Sequence, residues 1–277
     1  MARQKLGQHF LSDAGWREKI ARSIGVSVHS IEGAKSGSAD RLWIEIGAGH
    51  GELTRHLLQN GADVVAIEFG AQLATRLQDL TVEFPKLRIV EGDILETDIA
   101  RLANGRRARI YGNLPYYITS PILHHLFSFG DLIDEIHIVI QLEVAFRLVA
   151  RPGTSDYGYL SVLTQYFSRP SLAMKIPPGA FRPPPEVGSA LVSMRLPGER
   201  GKLMIADEQG FLDFVKLCFA QKRKTLVNNL RALAEPGQLR AILGARSLRV
   251  DARAEQLSVA ELASLFTSLG APHVAPT

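Results

Sequence analysis

Between Arg41 and Val139 short β-branched runs alternate with helical stretches, and nothing else in the 277 residues restricts the fold as much. Leu42 to Ile46, Val64 to Glu68, Leu87 to Val90, Arg109 to Tyr111 and Ile136 to Ile140 read as strands. Helical stretches near Leu53 to Gln59, Gln72 to Leu80 and Ile122 to Phe127 fall between several of them. Parallel neighbours need a long crossover, which a helix supplies, so a doubly wound α/β core is expected. Leu172 to Ile176 and Leu191 to Leu196 add late, antiparallel edge strands. The composition then shifts at Pro197-Gly198-Glu199-Arg200-Gly201, which puts a domain boundary between 1–200 and 201–277. Beyond it Phe211, Phe214, Val215 and Cys218 recur at helical spacing, as do Leu226, Leu230 and Leu233, and a small helical domain is expected. Ser36 to Asp40 and Arg151 to Tyr157 read as flexible loops.

Several function classes find no support. The longest apolar runs, such as Val64 to Ile67 and Ile138 to Ile140, fall far short of the ~18 residues that span a bilayer. Arg3, Lys5, Arg17, Glu18, Lys19 and Arg22 leave no apolar stretch for a secretory signal, so a cytoplasmic protein is expected. One cysteine, Cys218, allows neither an intramolecular disulfide nor a multi-cysteine zinc site, and His124-His125 lacks metal-ligand spacing; no metal is expected. Neither a G-x-S-x-G nor a Walker A sequence occurs. Lys plus Arg number 32 against 28 Asp plus Glu, a net charge of +4. From Lys216 to Arg253, nine basic residues face only Glu235 and Asp251, which suits a phosphate backbone.

Ile44-Glu45-Ile46-Gly47-Ala48-Gly49-His50-Gly51-Glu52-Leu53 reads as a strand, a glycine-rich turn and a helix start. Glycines let a ligand approach the main chain, and the helix N-terminus offers unpaired N–H groups. Glu68, 21 residues after Gly47, closes the next strand candidate, where a carboxylate can accept from both hydroxyls of a ribose. NAD and S-adenosylmethionine both fit these residues. Asp93, in Glu91-Gly92-Asp93-Ile94, stands at the same edge, placed to accept from an adenine amine or to cap a turn.

Asn113-Leu114-Pro115-Tyr116 follows the fourth strand candidate. Its chemistry suits an amine whose lone pair is delocalised into a planar ring or an amide, and which is therefore a poor nucleophile. If the Asn113 side-chain oxygen and the Leu114 carbonyl both accept from that NH2, the nitrogen can pyramidalise and aim its lone pair at a methyl group. Pro115 fixes the turn and Tyr116 stacks on the ring. Acceptors positioned in this way act by alignment and transition-state stabilisation.

With these motifs in place, the sequence resembles the small-subunit ribosomal RNA adenine N6,N6-dimethyltransferases from about Gly7 to Leu265. The matching motifs are Gly7-Gln8-His9-Phe10-Leu11, the glycine-rich turn, Glu68, Gly92-Asp93, Asn113 to Tyr116, Phe181-Arg182-Pro183-Pro184-Pro185-Glu186-Val187, and Gln221-Lys222-Arg223-Lys224-Thr225-Leu226 with Asn228-Asn229-Leu230. The resemblance implies a Rossmann-like methyltransferase core, dependent on S-adenosylmethionine, with a small C-terminal α-helical domain. It implies two methyl transfers to each of two adjacent adenosines in a hairpin loop near the 3′ end of small-subunit rRNA. A monomer acting on a pre-ribosomal particle is expected. Carried over by residue, His9 and Leu11 close over the cofactor, Gly47 admits its methionine end, Glu68 holds its ribose and Asp93 reads its adenine. Asn113 touches both cofactor and target, Phe181 faces Tyr116 across the target base, and Lys222, Arg223 and Lys224 bind RNA. Gly70 stands where the family usually has an acid, and Tyr117 and His9 where many members have Asn. Three other readings are weighed: a resistance-type large-subunit rRNA adenine methyltransferase, an assembly factor acting mainly by binding, and a dehydrogenase, which leaves Asn113 to Tyr116 unexplained.

Overall fold

A computed structural model describes residues 9–25 and 42–270. Gly7, Gln8 and the expected Ser36 to Asp40 loop lie outside the described residues. The described chain divides into two compact units, one within 1–145 and 171–196, the other within 146–170 and 197–277.

The first unit contains β1 (Phe10–Leu11), α1 (Ala14–Ser23), β2 (Leu42–Ile46), α2 (Glu52–Gln59), β3 (Asp63–Glu68), α3 (Ala71–Glu83), β4 (Leu87–Glu91), α4 (Ile99–Ala103), β5 (Ala108–Asn113), α5 (Thr119–Ser128) and β6 (Ile133–Gln141). After the helices α6 (Leu142–Val149) and α7 (Tyr159–Phe167), the chain forms β7 (Arg169–Ile176), β8 (Phe181–Arg182) and β9 (Ser189–Arg195). The main sheet runs β4-β3-β2-β5-β6-β9-β7. The strands from β4 to β6 pair in parallel and β9 runs antiparallel to β6, as the sequence pattern predicts. All five residues of β2 are buried, which is why that strand reads as continuously apolar except for Glu45.

Successive strands step from β2 outward to β3 and β4, then return to β2's other side with β5. The gap beyond the ends of β2 and β5 is therefore the topological switch point, where open α/β sheets bind ligands. Gly47 leaves β2 there with φ 69°, a left-handed conformation that glycine adopts without steric cost. Gly51, at φ 79°, begins α2, and a Cβ there would lie 2.6 Å from Leu80 of α3. The apolar face of α2, including Leu53, Leu57 and Leu58, is buried. β1 pairs antiparallel with β8 in a separate ribbon, with Phe10 opposite Arg182 and Leu11 opposite Phe181.

The second unit is helical: α6 in part and α7, then α8 (Arg200–Leu203), α9 (Glu208–Cys218), α10 (Leu226–Asn229), α11 (Pro236–Ala245) and α12 (Val259–Ser268). A single cut near residue 200 therefore does not describe the chain, because 146–170 groups with the helices. The Tyr166 ring of α7 lies 5.2 Å from Phe211 of α9, and its hydroxyl donates to Glu208 Oε1 at 2.9 Å. Phe211 in turn meets Phe266 of α12 at 5.7 Å. The expected helix over Leu226 to Leu233 shrinks to the single turn of α10. There the Asn229 side-chain amide donates to the carbonyls of Cys218 and Gln221, tying the turn to the end of α9. Among the described residues no helix is long and apolar enough to cross a membrane.

Candidate active site

Three adjoining cavities open along the switch point, all within the first unit. The largest, about 200 Å³, has apolar walls from Ile46, Ile67, Ile94, Ile118 and Ile122, with Glu68 and Asp93 as its acids. The second lies between His9, Phe10, Gly47, Glu68 and the Asn113 to Tyr116 turn. The third, smaller one is reached past Gly47, Gly49 and Asn113, and is lined by Leu11, Arg17, Glu45 and Glu52.

Glu68 ends β3 and is buried, yet both of its oxygens are satisfied: Gly49 N–H donates to Oε2 and Gly70 N–H to Oε1, each at 2.9 Å. A carboxylate has about four lone-pair sites, so capacity remains for a ligand's hydroxyls. The same bonds tie the glycine-rich turn to the start of α3. Asp93 caps the short turn after β4, with Leu95 N–H donating to Oδ1 at 2.9 Å, and also lines the large cavity, so capping and ligand reading coexist. Phe69 and Tyr117 line that cavity too and are 62% and 65% exposed.

The Asn113 side chain is fixed by a long-range bond: its Nδ2 donates to the His9 carbonyl at 2.8 Å. That leaves Oδ1 as the acceptor on the other arm of the amide. Leu114 N–H donates to Val139 O of β6 at 3.0 Å, which holds the turn against the sheet. The Tyr116 hydroxyl bonds to Ser189 Oγ at 2.9 Å, and burial pushes its pKa up against the opposing effect of that bond. His9 stacks on the Tyr116 ring, centroids 5.8 Å apart at 23°, with its Nδ1 2.7 Å from the Pro183 carbonyl oxygen.

Phe181 is not brought to Tyr116. It is 2% exposed and packs in the core with Leu11, Ile176, Ala180 and Leu191, because pairing of β8 with β1 turns its ring inward. The aromatic partner of Tyr116 is His9. Leu11 is buried and reaches only the smallest cavity. Lys222, Arg223 and Lys224 lie in the helical unit, exposed on the segment between α9 and α10.

The sequence reading gave no role to Glu45, Glu52 or Arg17. Glu45 is buried beneath the glycine-rich turn, accepts from Thr54 Oγ1 at 2.6 Å, and is pushed up to about 8, chiefly by loss of solvent. The signal available was an acid inside an otherwise apolar strand. Arg17 sits on α1, whose N-terminus is capped by Asp13 accepting from Trp16 N–H; nothing local in the sequence marks it. Together, one guanidinium and two carboxyl groups around one small cavity suit a zwitterion. No group of three or more His, Cys, Asp or Glu that could hold a metal occurs among the described residues.

A parallel sheet with a glycine-rich turn after its first strand, an acid ending the next strand and an Asn-Leu-Pro-Tyr turn across the switch point define a Rossmann-like methyltransferase. The family model described as ribosomal RNA adenine dimethylase matches residues 1–270. The chain belongs to that family. It is 38% identical over 264 residues to the ribosomal RNA small subunit methyltransferase A of Xanthomonas axonopodis pv. citri, covering 95% of each chain. It is 37% identical to the protein of the same name from Koribacter versatilis, over 96% of this chain and 93% of the relative. The crystal structure of a dimethyladenosine transferase from Plasmodium falciparum shares the fold, with a TM-score of 0.76 and 22% identity over 96% of this chain and all of that one. So does the 23S rRNA methyltransferase ErmE, with a TM-score of 0.67 and 24% identity over 94% and 99%.

Proposed function

We infer that the protein dimethylates the N6 amines of two adjacent adenosines in a hairpin loop near the 3′ end of small-subunit rRNA, using S-adenosylmethionine, during subunit assembly in the cytoplasm. The first unit is the catalytic part and the helical unit binds RNA. The observation that supports this most is the bond from Asn113 Nδ2 to the His9 carbonyl, since it leaves Oδ1 as an acceptor beside the Tyr116 ring.

The cavities fit the cofactor's chemistry. Glu68 retains acceptor capacity for ribose hydroxyls, Asp93 for the adenine amine, and the isoleucine walls suit the purine. At the other end Arg17 suits a carboxylate and Glu45 with Glu52 an ammonium, whose charge would draw Glu45 down from its raised pKa. When bound, S-adenosylmethionine supplies an electrophilic methyl group on a sulfonium. The chain's residues position the nucleophile. Asn113 Oδ1 and the Leu114 carbonyl accept from the adenine N–H groups and draw the nitrogen lone pair out of conjugation, while Tyr116 stacks beneath the base. Extruding an adenine costs a few kcal/mol, and one aromatic stack returns roughly 1 to 3. No strong base is required, since the proton can leave to water after transfer.

The test is incubation with labelled S-adenosylmethionine and, separately, unmethylated small subunits, naked small-subunit rRNA and large-subunit rRNA, followed by mass spectrometry of the nucleosides. Dimethyladenosine at adjacent positions in small-subunit RNA is expected. Label in large-subunit RNA alone overturns the substrate, and no label despite tight cofactor binding favours a binding role in assembly. Neutralising Lys222, Arg223 and Lys224 together should flatten the salt dependence of RNA affinity, by up to ~0.9 for each duplex phosphate no longer neutralised. An unchanged slope removes their phosphate role.

A further inference from the structure

The helical unit contains a cavity of about 390 Å³ that the mechanism does not use. Its size is within the range of small-molecule pockets, about 300–1,000 Å³. The N-terminus of α7 opens onto it. Gly158 there provides no capping side chain, and the first turn of the helix has no acid, so the amide dipoles meet no competing carboxylate on their own turn. Two cations join them: Arg147 from α6, and Lys222, whose ammonium donates to the Ser155 carbonyl at the same cavity.

Aromatic rings complete the wall. Phe219 and Tyr159 both line the cavity, and Phe219 meets Tyr157 edge-on at 6.0 Å. Tyr157 is 0% exposed, and its hydroxyl is buried without a hydrogen-bond partner among the described residues. That hydroxyl is closed off from the cavity, so Tyr157 contributes its ring, packed against Phe219, and no polar contact to an occupant. Asp156 stands exposed in the same lining, where a carboxylate repels a bare anion but accepts from a hydroxyl or an amine.

We propose that this cavity binds one unpaired nucleotide of RNA, with its phosphate at the N-terminus of α7 between Arg147 and Lys222 and its base against Phe219 and Tyr159. The combination of cations, amide dipoles, rings and one acceptor matches a nucleotide better than either of its halves. Identifying the source as RNA rests on the rRNA reading above; the pocket chemistry does not.

The full chain is saturated with S-adenosylhomocysteine, so that the cofactor cavities are filled, and titrated with AMP, ribose 5-phosphate and inorganic phosphate by NMR. AMP should bind about tenfold or more tightly than the other two. Gly158→Leu should weaken AMP by a similar factor. The backbone there is extended and a Cβ meets no atom within 4 Å, so the new side chain enters the cavity without strain. Arg147→Ala should weaken AMP as well; if that variant fails to fold, Gly158→Leu decides. Unaltered AMP affinity in Gly158→Leu, absence of AMP binding, or phosphate binding as tight as AMP overturns the proposal. On small subunits, Gly158→Leu should raise KM and leave kcat unchanged. If wild type methylates no small-subunit RNA while the AMP results hold, the catalytic reading fails and the pocket stands; the reverse removes the pocket alone.

Discussion

The two sides of the proposed site, one assigned to the cofactor and one to the target base, are held in different ways. On the cofactor side, Glu68 and Asp93 are fixed by main-chain N–H groups two residues away, and for Glu68 by one in the neighbouring turn. On the target side, Asn113 is held by a carbonyl 104 positions away, His9 by one 174 away, and Tyr116 by a serine 73 away. One side is built from strand ends and short turns, the other from segments that meet only when the whole unit has closed. The geometry proposed for cofactor recognition therefore tolerates change in distant parts of the chain, whereas the geometry proposed for the target depends on the β1–β8 ribbon.

The largest effect that sharpens this contrast is expected for Asn113→Ala. Loss of a positioned acceptor should lower single-turnover methyl transfer by roughly 10² to 10³ and leave RNA affinity largely intact. Equal loss of both would make Asn113 part of the frame. Next, Glu68→Ala removes the acceptor for Gly49 and Gly70 as well as for ribose, and should weaken cofactor binding by about 10- to 100-fold in calorimetry. If transfer on bound cofactor fell more than affinity did, the division into two sides would break.

Glu45 gives a pH test. Its folded pKa of about 8 exceeds the ordinary value of 4.5. Below the lower value both states hold the proton and folding bears no penalty. Between the two the unfolded chain releases its proton while the folded chain keeps it, so stability declines with rising pH until the folded pKa is passed. Glu45→Gln, free of that titration, should gain on the order of 3 kcal/mol over wild type between pH 5 and pH 8 in urea unfolding. A constant difference would show that Glu45 ionises freely. The smallest effect belongs to Phe181→Leu, a core change that should cost about 1 kcal/mol of stability and leave kcat/KM untouched. Activity lost at unchanged stability would return Phe181 to the target side.

The strands from Leu42 to Ile140 and the Gly47, Glu68 and Asp93 positions were legible because periodicity and turn chemistry are local. The inward turn of Phe181 was not, since it follows from the register of a two-residue ribbon whose halves are far apart in sequence. His9 as the neighbour of Tyr116, and Arg17 at the small cavity, were hidden for the same reason. The Phe211 to Cys218 face showed in the spacing, but the membership of 146–170 did not. An apolar face on α7 looks the same whether a sheet or another helix covers it.

That interleaving has a consequence for the order in which the chain can fold as it is synthesised. Residues 146–170 emerge before β9 and must wait for α9 and α12, more than forty residues later, to cover Tyr166 and its neighbours. A chain cut after Leu196 would have every strand of the sheet but would leave those apolar surfaces bare. The chain passes from one unit to the other near 145, 170 and 196, so no single cleavage releases either of them whole. Whatever the helical unit contributes stays coupled to the sheet through the covalent loop of 146–170.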